Sequence, residues 1–291
     1  MWDLWFKHLS LLKRSILILT GEKGEQYQNS WAYPFADDAP SLYYSILENR
    51  SQLAFFMSDK LPTVILPGYL ASAEDYRQLA EILQQLGFPT AIVPLRKRSW
   101  LPTFGGRSIV PILRPLHATL QQMRQQYQVE KVNLIGHSAG GWISRIYLGE
   151  KPYCIHGDVA EDAIGLWNGH PQVETLVCLG TPHLSQERWT RRNLDFVNQN
   201  YPGAFYPTVR YICVAGRAIE GRQRPGSWLA YNSYKLTCGT GNTWGDGITP
   251  IEAAHLDGAE NIVLDQVWHS PRSPGRWYGS PEIVPEWVKL L

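Results

Sequence analysis

The sequence KVNLIGHSAGG, residues 131–141, decides the fold class. An apolar segment runs into Gly136-His137-Ser138-Ala139-Gly140, and what reads as a helix follows. This is a G-x-S-x-G pattern in the setting of a strand, a sharp turn and a helix. Such a turn would hold Ser138 in a strained backbone conformation, and Gly136 and Gly140 would remove side chains that clash beside it. The serine hydroxyl would then be exposed at the end of a sheet, next to the N–H groups that begin the helix.

Strands and helices alternate on both sides of this turn. Apolar strand-like runs occur at 63–66, 90–93, 131–135, 175–179, 209–214 and 261–264. Helical stretches are predicted at 72–86, 112–127, 139–148 and 281–291. The alternation predicts an α/β fold with a mostly parallel sheet and helices on both faces. Ligands bind beyond the carboxyl ends of the strands in such sheets, which is where the motifs below fall.

Two parts are expected in the chain, a lead-in over residues 1–60 and one domain over 61–291. Residues 1–19 carry apolar side chains at steps of three and four, which predicts an amphipathic helix. Charged residues interrupt this run, and this argues against a membrane-spanning helix and an ordinary signal peptide. The helix would either pack on the domain or lie on a lipid surface.

Composition excludes several classes of function. The formal charge of +1 gives no basis for binding nucleic acid. The four cysteines are widely spaced, and Cys178 and Cys213 fall in strand-like runs, where small buried side chains are common. No metal-ligand spacing of His, Cys and carboxylates is present, so no metal or organic cofactor is expected. We expect a cytoplasmic location, with peripheral membrane contact through residues 1–19 or a lid as the alternative.

A base and an acid that could activate Ser138 lie downstream of it. Asp246 occupies a glycine turn in GDGITP, residues 245–250, and His269 follows the last predicted strand. A serine hydroxyl needs a base to accept its proton, and the base needs an acid to fix its tautomer. Serine, then acid, then histidine is the chain order expected after an elbow of this type. The sequence therefore predicts Ser138, Asp246 and His269 as a catalytic triad.

Other residues compete for these roles. Glu220 follows the strand at 209–214 and is the strongest rival acid, whereas Asp265 lies only four residues before His269. His183 precedes the acid Asp246 in the chain, and His255 falls in a predicted helix, so neither histidine is expected to be the base. An oxyanion would need two converging N–H groups. Those of Ala139 and Tyr69 are the candidates, with Gly68 allowing the turn before Tyr69.

These motifs together resemble the α/β-hydrolase superfamily. The matching segments are LPGY (66–69), GHSAGG (136–141), LGTPH (179–183) and GDGITP (245–250) with His269 after it. Within the superfamily the chain is similar to lipase-like proteins, which include bacterial triacylglycerol lipases and GPI inositol-deacylases. The resemblance covers about residues 60–275. It implies the same roles for Ser138, Asp246 and His269, and oxyanion donors at Tyr69 and Ala139; it makes His183 a supporting residue. The oxyanion loop reads Pro-Gly where many lipases have His-Gly.

Two segments could cover a substrate. The resemblance places a cap or lid after LGTPH, at about 184–207, and residues 151–172 form a further insertion. We expect cleavage of a carboxylic ester of a lipid or another apolar acyl group. An acyltransferase or a thioesterase could use the same triad, and a catalytically silent binding protein on the same fold is the alternative from another class.

Overall fold

The computed structural model describes residues 59–155 and 166–291. The predicted helix at 1–19 and the middle of the insertion at 151–172 lie outside the described residues, and both stay predictions.

Strands and helices alternate through the described chain. The strands are β1 (Thr63–Leu66), β2 (Thr90–Ile92), β3 (Val132–His137), β4 (Val173–Leu179), β5 (Arg210–Arg217), β6 (Ile219–Glu220), β7 (Trp244–Gly245) and β8 (Glu260–Asp265). The helices are α1 (Arg77–Gln85), α2 (Val110–Tyr127), α3 (Ala139–Leu148), α4 (Arg188–Asn200), α5 (Trp228–Cys238), α6 (Ile251–Ala254) and α7 (Val284–Val288). Short 3-10 turns occupy Ala73–Tyr76, Lys97–Thr103 and His170–Gln172.

Six of the strands form one sheet in the order β2-β1-β3-β4-β5-β8, and every neighbouring pair is parallel. The predicted α/β fold is therefore confirmed. Strands β6 and β7 form a separate antiparallel ribbon. This ribbon was not predicted from the sequence, and two helices differ from the sequence prediction as well. The closing helix spans only Val284–Val288, and α5 was not predicted.

A hydrophobic core covers each face of the sheet. Alternate residues of a strand point to opposite faces, so neighbouring apolar residues enter different cores. In β3, Leu134 packs into the core that contains α2 and α3, while Ile135 packs into the core that contains α1 and α7. Both are fully buried. This explains why β3 reads as a continuous apolar run, as strands covered on both faces do.

All six parallel strands end at the same edge of the sheet, and predicted site residues follow β1, β3 and β8. Asp246 follows β7 of the ribbon and lies against Gly216 near the end of β5. Within residues 59–155 and 166–291, no helix combines the length and the hydrophobicity needed to cross a bilayer.

Candidate active site

Ser138 sits in a strained turn between β3 and α3. Its backbone has φ 53° and ψ −123°, a conformation that costs a non-glycine residue about 1–3 kcal/mol. Tight packing holds it there. A Cβ at Gly136 would come within 2.5 Å of the α3 backbone, and one at Gly140 would lie 2.5 Å from the carbonyl oxygen of Leu66. Only glycine permits these approaches, so the turn requires both residues.

Three side chains form a series of hydrogen bonds at this turn. His269 Nε2 lies 3.0 Å from Ser138 Oγ, and His269 Nδ1 lies 2.8 Å from Asp246 Oδ2. A backbone hydrogen bond also joins His269 and Asp246, because the N–H of His269 donates to the carbonyl oxygen of Asp246 at 3.0 Å. With Nδ1–H directed at the carboxylate, Nε2 can accept the serine proton.

Asp246 is buried, and its carboxylate accepts hydrogen bonds from several protein groups. Its Oδ1 accepts the N–H groups of Ile248 and Thr249, at 3.0 and 2.7 Å, and its Oδ2 accepts the hydroxyl of Tyr278 at 2.7 Å. Burial alone would raise the pKa of this carboxyl. The charge and hydrogen bond of His269, together with the donors at Thr249 and Tyr278, bring the pKa below its ordinary value. Asp246 therefore stays ionised, ready to stabilise a positively charged imidazole.

The rival residues make other contacts. The Glu220 carboxylate pairs with Arg222, and Asp265 pairs with Arg217 at 3.1 Å. The ring of His183 contacts Arg145 and the thiol of Cys213. His255 lies immediately after α6, not within it.

Gly68 brings the loop after β1 against the serine turn. A Cβ at Gly68 would lie 2.9 Å from His137 Nδ1 and 3.0 Å from Ser138 Cβ, so this approach also needs glycine. The backbone N–H groups of Tyr69 and Ala139 have no hydrogen-bond acceptor in the part of the chain that the structure describes. Ala139 is the first residue of α3, whose N–H has no partner within the helix. Both amides are thus available to an oxyanion.

Two pockets open beside Ser138 and share the wall formed by Tyr69. The first, here called the His269 pocket, has a volume of about 180 Å³ and is lined by both polar and apolar residues, among them His269, Arg272 and Leu70. The second, the Trp142 pocket, has a volume of about 260 Å³. Its wall is largely apolar and includes Trp100, Ile109 and Trp142.

The predicted lid region contains α4. Thr190 and Asn193 on this helix line the Trp142 pocket, as does Glu187 just before it. Leu194 and Val197 on the same helix are buried in the core beside α3. The structure thus shows α4 as a wall of the pocket, and a covering motion of residues 184–207 stays a prediction.

Residues 114–215 match the model of a family described as "alpha/beta hydrolase of unknown function (DUF915)". This span contains the strand–turn–helix around Ser138, and the all-parallel sheet extends the likeness beyond it. The chain has the α/β-hydrolase fold.

Solved structures of similar α/β architecture are remote in sequence. A probable hydrolytic enzyme from Pseudomonas aeruginosa PAO1 is 13% identical, with 80% of this chain and 85% of that chain covered and a TM-score of 0.47. The 2-hydroxy-6-oxo-6-phenylhexa-2,4-dienoate hydrolase of Rhodococcus sp. strain RHA1 is also 13% identical (79% and 91% covered, TM-score 0.43). Est1E from Butyrivibrio proteoclasticus is 13% identical (80% and 87%, TM-score 0.42). No curated protein matches the sequence significantly. Likenesses this distant carry no information on the substrate.

Sequence reasoning missed His137, which connects three loops around Ser138. Its Nε2 lies 2.6 Å from the carbonyl oxygen of His269, so this nitrogen carries the proton and donates it. Its Nδ1 then accepts the hydroxyl of Tyr76 at 2.6 Å, and that hydroxyl accepts the N–H of Gly68 at 2.9 Å. The oxyanion loop, the serine turn and the histidine loop are therefore joined through one buried imidazole. The only sequence signal was its place beside Ser138.

A second cluster was also missed. The sulfur atoms of Cys178 and Cys213 and a ring nitrogen of His183 lie within 4.8 Å of one another, because β4 and β5 pair at the two cysteines. Arg145 donates to His183 Nδ1 at 3.3 Å, so Nε2 carries the proton and donates to Cys213. A metal-bound imidazole instead donates its other N–H to an acceptor. The cluster fits a hydrogen-bonded core better than a cation site.

The buried imidazole of His137 generates a prediction about acid stability. Burial, and then the nearby His269, lower the pKa of His137 to about 3. Below its unfolded pKa of about 6.5, only the unfolded chain takes up this proton, so the free energy of unfolding should fall as the pH drops towards 3. His137→Gln keeps a donor at the position but cannot titrate. We expect the stability gap between wild type and variant to narrow by about 2–3 kcal/mol between about pH 7 and about pH 4.5.

Urea unfolding at both pH values measures this gap. Other acid-sensitive groups, including the buried His183, are present in both proteins and cancel in the comparison. An unchanged gap would show that His137 is not held neutral.

Proposed function

We propose that the protein is a serine hydrolase that cleaves a carboxylic ester of a lipid or another apolar acyl group, through an acyl-enzyme on Ser138. The observation that carries the proposal is the continuous series from Asp246 through His269 to Ser138, with contacts of 2.8 and 3.0 Å. It ends beside the N–H groups of Tyr69 and Ala139, which have no acceptor within residues 59–155 and 166–291. Acyl transfer needs this combination of an activated nucleophile and prepared donors.

The first half-reaction forms the acyl-enzyme. Ser138 Oγ attacks the ester carbonyl carbon while His269 Nε2 takes the hydroxyl proton, and the carbonyl oxygen becomes an oxyanion. The N–H groups of Tyr69 and Ala139 bind that oxyanion, and Asp246 stabilises the charged imidazole. The intermediate collapses when the bond to the alcohol oxygen breaks, and His269 gives its proton to the departing alcohol.

The second half-reaction releases the acid. His269 takes a proton from a water molecule, whose oxygen attacks the acyl carbon. The bond to Ser138 Oγ then breaks, and His269 returns the proton to the serine. The enzyme is restored with one ester and one water consumed, and one alcohol and one acid formed.

Proton transfer to the alcohol determines which pocket holds which part of the ester. The departing oxygen must lie within hydrogen-bond reach of His269 Nε2, so the alcohol would occupy the His269 pocket, which this imidazole lines. The acyl group then extends into the Trp142 pocket, whose apolar wall suits a hydrocarbon chain. At about 30 Å³ for each water-sized group, its volume of about 260 Å³ holds roughly eight carbons.

Substitution of the nucleophile and the acid tests the proposed chemistry. Ser138→Ala removes the attacking oxygen, and we expect nitrophenyl ester hydrolysis to fall by roughly three decades or more. Asp246→Asn should cost about four decades in kcat, because it no longer stabilises the correct tautomer and the imidazolium.

Ser144→Ala is the matched control. This hydroxyl lies on the same helix as the serine turn but donates to the carbonyl oxygen of Gly140 at 2.7 Å and lines neither pocket. Its activity should stay close to that of the wild type. Hydrolysis by Ser138→Ala at the wild-type rate would refute the acyl-enzyme.

The size of the Trp142 pocket predicts a preference for acyl length. Among nitrophenyl esters, kcat/KM should rise with acyl length to about eight carbons and fall for much longer chains. Thr190→Phe would fill part of the pocket, so the eight-carbon ester should lose turnover while the two-carbon ester keeps it. Gln199→Phe, on the exposed side of the same helix, should leave both rates unchanged. Equal losses for short and medium esters in Thr190→Phe would contradict the acyl assignment.

A further inference from the structure

We propose that the loop after β2, residues 94–107, is a docking surface for an anionic lipid bilayer. This basic loop reads PLRKRSWLPTFGGR and contains four cations and no acidic residue. The side chains of Arg96, Lys97, Arg98 and Arg107 are all exposed. None of them forms an ion pair with a carboxylate within residues 59–155 and 166–291.

The charge of the chain is concentrated around this loop. Between Glu81 and Glu130 there are six Lys and Arg residues and no Asp or Glu. The rest of the chain has 21 basic and 26 acidic residues. A chain with a formal charge of only +1 therefore carries a strong excess of positive charge between Glu81 and Glu130. A near-neutral protein can be drawn to an anionic surface only through such a patch, which also orients it. The basic loop is the most densely charged part of this segment.

Exposed apolar side chains accompany the cations. Leu101 is 56% exposed and Phe104 is 38% exposed, and both belong to the basic loop. On the neighbouring oxyanion loop, Tyr69 and Leu70 are 41% and 44% exposed, and the ring of Tyr69 lies 5.9 Å from that of Phe104. Nucleic acid or an acidic peptide would satisfy the cations but leave the aliphatic side chains in water. A bilayer with anionic headgroups satisfies both, since phosphates meet the cations and acyl chains meet the apolar groups.

The loop is fixed to the fold at its centre. Trp100 is fully buried, and its Nε1 donates to the carbonyl oxygen of Ala71 at 2.9 Å. Leu95 is buried as well, and its carbonyl oxygen accepts the N–H of Ala73 at 2.9 Å. The exposed residues are therefore presented on a rigid support and need little ordering upon binding.

The position of the loop relates it to the pockets. Trp100 and Thr103 line the Trp142 pocket, so one side of the loop faces that pocket while its charged residues face solvent. A bilayer against the basic loop would bring lipid acyl groups to the pocket beside Ser138. The docking surface does not depend on the proposed chemistry, because binding is measured without turnover.

Flotation of the full chain with phospholipid vesicles tests the proposal. The wild type should float with vesicles that contain phosphatidylglycerol, float weakly with pure phosphatidylcholine, and dissociate as salt is added. Each cation near an anionic surface contributes about fivefold to the binding constant, so Arg96→Gln/Lys97→Gln/Arg98→Gln should weaken binding by roughly 100-fold. Leu101→Ser/Phe104→Ser should weaken it by roughly tenfold through the loss of apolar insertion.

The control has the same change of charge at the opposite edge of the sheet. Lys131→Gln/Arg210→Gln/Lys289→Gln should bind vesicles like the wild type. The proposal would be overturned if the wild type did not bind anionic vesicles. It would also be overturned if Arg96→Gln/Lys97→Gln/Arg98→Gln bound them as tightly as the wild type, or if this variant and the control lost the same amount of vesicle affinity. A further contradicting result would be that the wild type binds RNA or an acidic peptide and that the loop substitutions abolish this binding but leave vesicle binding unaffected. An inactive protein that still binds anionic vesicles through this loop would refute only the proposed function.

Discussion

The strained backbone of Ser138 is the constraint on which the rest of the structure depends. A positive φ at a serine is unfavourable. Ser138 keeps this conformation because the chain must turn sharply between β3 and α3. The N–H of Ser138 is held by the carbonyl oxygen of Leu179, and Gly140 lies directly against the end of β1. Contacts with the strands on either side of β3 thus hold the half-buried side chain of Ser138 in place.

The polar network around the turn extends this constraint to distant loops. Asp246 stays ionised in a buried site because backbone and tyrosine donors replace water around it. His137 stays neutral in the same region because burial and the nearby His269 lower its pKa, and the neutral ring donates to one loop and accepts from another. The pKa of the buried carboxyl and that of the buried imidazole are both lowered, so the first stays charged and the second stays uncharged. In each side chain every polar atom has a hydrogen-bond partner. The histidine and oxyanion loops are kept in register by these bonds.

Local sequence determined part of this arrangement and long-range pairing determined the remainder. Strand β3 and the turn after it could be predicted because their apolar run and glycines act within a few residues, and the order of Ser138, Asp246 and His269 could be read along the chain. Tyr278 could not be predicted, since it reaches Asp246 from 32 residues away through packing of the C-terminal segment. Helix α5 was missed because its buried face is formed by Ala230 and Tyr234, while its larger aliphatic residues, Leu229 and Leu236, are exposed. The meeting of Cys178, Cys213 and His183 required the pairing of β4 with β5, which no spacing reveals.

Reaction with a fluorophosphonate tests the central claim most directly, because the probe needs an activated serine beside an oxyanion site and no knowledge of the substrate. We expect one adduct per chain, located on Ser138 by peptide mass spectrometry and absent from Ser138→Ala. An adduct on another residue, or equal labelling of Ser138→Ala, would contradict it.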